Sequence, residues 1–189
     1  MTISKAVEIL NRGGIGVLPT DTLYGLVGRA LDEQVVERIY KLRKRNRKKP
    51  VIILTGSFSD LRGFGVRINR ATRKILNRVW PGPVTVVLPL GTKATRKFKY
   101  LHRGVKSLAF RLPKPIALRK LLAKTGPLVA PSANIEGAPP ARNLRKAREY
   151  FGDKVDFYIS GGLRKEKPST LIKITDGEVI VLRRGAGKV

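Results

Sequence analysis

Residues 15–26 read Ile-Gly-Val-Leu-Pro-Thr-Asp-Thr-Leu-Tyr-Gly-Leu, a short apolar strand, Ile15–Leu18, that runs straight into small polar residues and a turn. Pro19 lacks a backbone donor and ends the ladder, the Thr20 and Thr22 hydroxyls and the Asp21 carboxylate can bond a turning backbone, and Gly25 permits a sharp bend. A plain strand-to-helix turn accounts for the proline, the aspartate and the glycine. It leaves two threonines and Tyr24 without a purpose. Strand ends in layered α/β proteins are where ligands bind, so the stretch predicts both a fold class and a site.

Outward from this stretch, the apolar pattern alternates between helical and strand-like spacing. Ser4 is placed to cap a helix carrying Val7, Ile9 and Leu10 and ended by Gly13-Gly14. Asp32 is placed to cap a second helix on which Val35, Ile39 and Leu42 share a face, and the buried-looking strand Val51–Leu54 follows. The pattern continues with a helix at about Arg70–Val79, strands Thr85–Leu88 and Ser107–Arg111, and a helix at Ile116–Ala123. Next come strand Leu128–Ala130, helix Asn143–Tyr150, and strands near Val155–Ile159, Thr170–Ile174 and Val179–Arg183. Helices and strands intermingle throughout, which predicts an α/β fold with a layered, mixed sheet in a single domain over residues 1–189. Gly91–Gly104 reads as a basic, turn-rich insertion with His102 in solvent, and Gly161–Pro168 as a mobile loop.

Composition narrows the chemistry. The 189 residues carry 40 Lys and Arg against 13 Asp and Glu, a net charge of +27, with one histidine and no cysteine. Thiol nucleophiles, thiolate zinc sites, iron–sulfur clusters and multi-histidine metal sites are excluded. The positive potential attracts phosphates, nucleic acid or anionic membrane. Glu8, Asn11 and Arg12 interrupt any signal-peptide hydrophobic region, and no apolar run approaches the roughly 18 residues that span a bilayer. The expectation is a soluble, cytoplasmic protein with no membrane partner. Gly185-Ala186-Gly187-Lys188 echoes the end of a phosphate-binding loop, but Leu182 stands where its first glycine belongs; Gly13-Gly14-Ile15-Gly16 precedes a strand, whereas a dinucleotide fingerprint follows one.

Three more segments place polar residues at element ends. Lys41–Pro50 is a dense cationic run at a helix end, and Arg43, four residues after Ile39, leans toward the buried side, where a cation needs an anion such as a polyphosphate. Ser132 and Asn134 follow the apolar strand Leu128–Ala130 and can hydrogen-bond a ligand or merely cap a turn. Arg111, at the end of its strand, combines with Ser169-Thr170 and Arg183 in a set suited to carboxylate or phosphate recognition. No Ser/His/Asp set or carboxylate pair stands at meaningful spacing. The chemistry indicated is positioning and charge neutralisation, as in nucleotidyl and phosphoryl transfer.

Taken in order, Pro19–Leu26, the basic run ending in Lys49-Pro50, Trp80–Thr85, Leu108–Pro113, Ala130–Asn134, Pro168–Thr170 and Leu182–Gly185 resemble the YrdC/Sua5 family of threonylcarbamoyl-AMP synthases over nearly the whole chain. The resemblance implies a twisted mixed sheet flanked by helices, with a concave, basic cleft. It implies a reaction of ATP, L-threonine and bicarbonate or CO2 that gives threonylcarbamoyl-AMP and pyrophosphate, for N6-threonylcarbamoyladenosine formation on tRNA. It places Arg43, Arg45, Lys49, Ser132, Asn134 and Arg183 at ATP, Arg43 standing where the family has lysine, with Lys41 or Lys44 as alternative contacts. Thr20, Thr22, Tyr24, Arg111 and Ser169 fall around threonine, and Arg45, Lys49 and Thr22 are the expected catalytic set. Mg2+ is expected with ATP, held mainly by substrate oxygens and water, with no metal ligand assigned to the protein. A downstream tRNA threonylcarbamoyl transferase is the implied partner, and a direct tRNA or double-stranded RNA contact follows from the charge. The alternative is a non-catalytic RNA-binding module of the same fold. The cations of Arg62–Arg78, Lys93–Lys106 and Arg142–Arg148 exceed what the synthase reaction needs.

Overall fold

The computed structural model describes residues 1–175 and 177–189. Helix α1 (Ile3–Asn11) leads into a hairpin of strands β1 (Gly16–Pro19) and β2 (Tyr24–Arg29), followed by α2 (Glu33–Leu42) and β3 (Ile52–Leu54). Helices α3 (Asp60–Gly63) and α4 (Arg70–Val79) precede β4 (Val84–Pro89), and α5 (Thr92–Lys97) and α6 (Lys99–His102) precede β5 (Ser107–Arg111). Helix α7 (Ile116–Thr125), β6 (Leu128–Val129), α8 (Leu144–Phe151), β7 (Phe157–Tyr158), β8 (Thr170–Thr175) and β9 (Glu178–Arg183) complete the order. The strands form one nine-stranded sheet, β7-β1-β2-β6-β3-β5-β4-β8-β9. It is mixed: β1/β7, β3/β5 and β4/β8 pair parallel, the rest antiparallel.

The two faces of the sheet are covered unequally. Alternate side chains Ile53, Phe110, Val86 and Ile172 pack into the larger core, beneath Val36 and Ile39 of α2, Leu76 of α4, Leu101 of α6 and Phe151 of α8. On the opposite face Leu18, Val27, Leu54 and Leu128 are covered by Ala6 and Leu10 of α1 and by Leu118, Leu121 and Leu122 of α7. Beyond Leu54 that face stays open, with Ile52, Val87 and Ala109 only partly buried and Lys173 exposed. This uncovered part is where a ligand can lie. No helix among the described residues is long and apolar enough to cross a membrane.

Several local expectations change. The cap of α1 is Thr2, which accepts from Lys5 N–H at 3.3 Å, and not Ser4, which lies inside the helix; Asp32 does cap α2. The segment after Pro19 is no strand-to-helix turn but the tip of the β1/β2 hairpin, closed by the Thr20 hydroxyl donating to Leu23 O at 2.7 Å. The expected insertion Gly91–Gly104 contains two short helices, because Phe98 and Leu101 are apolar anchors buried in the core and Phe98 packs 5.2 Å from Phe64. His102 is therefore buried, not solvated. Its Nδ1 accepts from Gly104 N–H at 2.9 Å and its Nε2 lies 2.8 Å from Thr95 O, which assigns the neutral tautomer protonated at Nε2 and a structural role.

Candidate active site

The open face carries a hollow of about 220 Å³, lined by parts of six strands or the loops beside them. The hairpin tip contributes Thr20, Thr22, Tyr24 and Gly25, β3 Ile52, β5 Arg111, the loop after β6 Ser132, the approach to β8 Pro168 and Ser169, and the end of β9 Arg183. Parity explains the gathering. Leu54 pairs with Arg111, so both point to the same face, and the Gly25–Ser132 bridge brings the loop after β6 against the hairpin. All five residues expected around threonine, together with Ser132 and Arg183, thus line one cavity.

Arg111 is the electrostatic centre of this end. It is 3% exposed, its Nη1 donates to the Thr22 hydroxyl at 3.1 Å, and its Nη2 lies 3.4 Å from the Asp21 carboxylate. That last contact is an ion pair too poorly aligned for a hydrogen bond, so Asp21 Oδ1 is left without a hydrogen-bond partner, as is Arg111 Nε. Burial, opposed by Asp21 and reinforced by Arg183, holds the Arg111 pKa below the ordinary guanidinium value. Unsatisfied buried groups are uncommon in folded proteins, and of the four buried Arg Nε atoms without a partner among the described residues, those of Arg103, Arg111, Arg119 and Arg164, only that of Arg111 belongs to a residue lining the hollow. The surrounding hydroxyls are held in place: Thr20 and Thr22 lie 3.2 Å apart, and Ser169 lies 2.8 Å from the buried Thr85 hydroxyl. Arg183 donates to Ser169 O at 2.9 Å, fixing the approach to β8. Tyr24 lines the cavity, but its hydroxyl is used elsewhere. It donates to Gly162 O and accepts from Gly161 N–H, both at 2.8 Å, and so fastens the 160–168 loop beside the site.

Next to this hollow the basic segment is arranged differently. Helix α2 ends in a left-handed turn, with Lys44 at φ +50°, Arg45 N–H bonded to Tyr40 O and Lys44 N–H to Lys41 O. That turn sends Arg43 inward, where it is 3% exposed. Its Nε donates to Asn134 O and its Nη2 to Asn134 Oδ1, each at 3.0 Å, with Ser132 Oγ at 3.4 Å. Ser132 in turn donates to Asn134 Oδ1 at 2.6 Å. Arg43 Nη1 is buried without a partner, and burial lowers the Arg43 pKa to about 10, which leaves it cationic at neutral pH. The inward lean of Arg43 is as expected, but the acceptors it finds belong to the protein. Arg45 donates to Lys49 O and to Pro50 O, the latter at 2.6 Å, and Lys49 pairs with Glu136 at 2.6 Å. Arg43, Arg45, Lys49 and Asn134 do not line the hollow; Ser132 is the residue that joins the two parts.

Asp21, Thr85 and Glu136 carry contacts that the sequence reading does not assign. Asp21 had a signal, being the sole acid in a motif facing a strand-end arginine. For Thr85 and Glu136 the partners lie 84 and 87 residues away, with no local pattern to announce them.

A family model for Sua5, YciO and YrdC, described as telomere recombination, matches residues 8–185. The chain belongs to the Sua5/YciO/YrdC family. It is 35% identical over 97% of its length to a threonylcarbamoyl-AMP synthase of Pyrococcus abyssi, of which it spans 54%, about half. It is 31% identical to the threonylcarbamoyl-AMP synthase of Cellvibrio japonicus, with 94% of each chain covered. Among solved structures, P. abyssi Sua5 complexed with L-threonine superposes with a TM-score of 0.86 at 34% identity, over 97% of this chain and 54% of that one. E. coli YciO superposes at 0.85 and 26% identity, over 98% and 90%. The twisted mixed sheet flanked by helices is thus the family's fold, as the sequence motifs implied.

Proposed function

We propose that this Sua5/YciO/YrdC chain is a threonylcarbamoyl-AMP synthase, joining ATP, L-threonine and bicarbonate or CO2 into threonylcarbamoyl-AMP with release of pyrophosphate. One observation carries the reading: Arg111, buried and with an unused Nε, stands in a hydroxyl-lined hollow of about 220 Å³. That is smaller than the roughly 300–1,000 Å³ pockets that enclose drug-sized ligands. It suits an amino acid, whose carboxylate meets the guanidinium and whose side-chain hydroxyl meets Thr20, Thr22 or Ser169. P. abyssi Sua5, the relative solved with L-threonine, supports this reading.

In the reaction the threonine amine adds to CO2, forming an N–C bond and releasing a proton, and a carbamate oxygen then attacks the α-phosphorus as pyrophosphate departs. The lining holds neither carboxylate nor histidine, and the nearest carboxylate, Asp21, is paired with Arg111, so what the lining supplies is positive charge and hydroxyl donors. Two anions must be brought together. Each charge-assisted hydrogen bond contributes about 1.5–3 kcal/mol toward that. Ser132 and Asn134, held by Arg43, and Arg45 and Lys49 face the nucleotide in this scheme, with Arg183 between the two substrates. The donor set fits no resident metal: the lining has no carboxylate, and no group of three metal-ligating residues occurs among the described residues. Magnesium enters as the counter-ion of ATP and belongs to the substrate.

The product, a labile mixed anhydride, is consumed by a tRNA threonylcarbamoyl transferase, and we place the reaction in the cytoplasm with its tRNA. A direct RNA contact is favoured by the stretch from Leu61 to Ile135, which contains no carboxylate; on α4, Arg70, Arg73, Lys74 and Arg78 are all exposed. The deciding experiment measures pyrophosphate release from ATP with magnesium. The synthase reading expects release only when threonine and bicarbonate are both present. Release indifferent to threonine, or none, with RNA bound instead, overturns it in favour of the binding module.

A further inference from the structure

The turn Ile135–Ala138 puts the Glu136 carboxylate on two donors of the basic loop: Oε1 accepts from Lys49 Nζ at 2.6 Å and Oε2 from the backbone N–H of Asn46. An ammonium and a main-chain N–H are also what a phosphate oxygen takes. The Lys49 and Asn46 donors hold the Glu136 pKa below the ordinary glutamate value, so the carboxylate is charged at neutral pH. The side chain is only partly exposed, at 23%, on a turn whose backbone is held by Ala138 N–H to Ile135 O at 3.0 Å, by Glu136 N–H to Arg43 O at 2.8 Å, and by Asn134 Nδ2 donating to Ile135 O and Ala138 O, each at 2.8 Å. With the backbone of the turn fixed, releasing the carboxylate takes only a rotation of the Glu136 side chain away from Lys49, whose own side chain is exposed. Two residues earlier lies Asn134, gripped by Arg43.

We infer that Glu136 is a specificity-determining residue, an internal anion that occupies the phosphate seat formed by Lys49 and Asn46 N–H and yields it only to a polyphosphate. This rests on reading the Lys44–Pro50 loop as the place where ATP phosphates bind. The chemistry gives the device a use. Bicarbonate, the other small anion of the reaction, carries no more charge than the carboxylate it must displace and is turned away. A triphosphate meets Lys49 and the neighbouring cations with several charges and replaces Glu136.

The test is calorimetric titration of the full chain and of Glu136→Gln with inorganic tripolyphosphate, inorganic phosphate and ATP. The isosteric amide can still accept from Asn46 N–H but no longer neutralises Lys49. Removing the internal competitor is expected to tighten tripolyphosphate and phosphate binding about three- to tenfold. Adding Lys49→Gln to Glu136→Gln is expected to abolish that gain. Unchanged or weaker binding in Glu136→Gln, or a gain that survives Lys49→Gln, overturns the proposal while ATP binding by the wild type keeps the functional reading intact. Wild-type protein that binds neither ATP nor tripolyphosphate overturns the functional reading itself. Loss of a cooperative thermal melt in Glu136→Gln also contradicts the proposal, because a displaceable contact cannot be required for the fold.

Discussion

At the proposed amino-acid end of the site, Arg111 is enclosed with one donor unused and a carboxylate, Asp21, only loosely aligned against it. At the proposed nucleotide end, Arg45 is bonded to main-chain carbonyls and Lys49 to Glu136. Arg43 spends its Nε and Nη2 on Asn134 and keeps Nη1 in reserve. The first end is a seat with vacant bonding capacity; the second has to exchange internal partners for phosphate oxygens. Under the proposed function, the contrast means that threonine is held without rearrangement, whereas nucleotide binding requires the basic loop to let go of its own acceptors.

The sharpest way to break the comparison is Arg111→Met. It removes the ion-pair partner of Asp21 and leaves that carboxylate only the Lys114 N–H at 3.3 Å, which is expected to lower stability by about 1–3 kcal/mol and to raise the threonine requirement roughly 10- to 100-fold. Thermal melts and threonine titrations read the two effects. Pairing it with Asp21→Asn is expected to recover the melt but not threonine binding; recovery of both removes Arg111 from the amino-acid seat. Next in size, Arg43→Met leaves Asn134 O and Oδ1 without their guanidinium donors. The ATP requirement is expected to rise about tenfold with threonine affinity unchanged, and a change in both merges the two ends into one network.

A smaller effect is expected from Tyr24→Phe, which unfastens Gly161 and Gly162. Losing these bonds costs about 1 kcal/mol, so trypsin should cut after Arg164 or Lys165 about fivefold faster; equal rates mean the loop is held by other contacts. The smallest lies far from both ends, at Asp156. Burial alone raises its pKa, but the Arg38 ion pair and Ile15 N–H outweigh this and hold it below the usual aspartate value. A depressed carboxylate contributes stability above its unfolded pKa, and that contribution is lost as pH falls through its folded value. Urea unfolding should therefore show a steeper stability loss below about pH 4 in the wild type than in Asp156→Asn, with no change in either substrate requirement.

Much of the fold was legible because burial writes itself into apolar runs. The expected strand Val51–Leu54 is β3, Ile52–Leu54, which with Ser107–Arg111 lies at the centre of the sheet, and α4 occupies the expected span Arg70–Val79. The β1/β2 hairpin was not, since Thr20 closes it with a side-chain bond that no period of hydrophobicity records. His102 misled for a related reason: Lys99 and Lys106 near it are exposed while its ring caps a turn inside. At the site, the positive half was visible as motifs at strand and helix ends. The negative half was not. Asp21 and Glu136 gain their meaning from partners 90 and 87 residues away, brought together by the strand order.

The most direct test of the contrast is equilibrium dialysis of L-threonine against the protein without any nucleotide. A preformed amino-acid seat predicts saturable binding by the wild type, retained in Arg43→Met and lost in Arg111→Met/Asp21→Asn. Binding that requires ATP, or that persists in the Arg111 double variant, contradicts it.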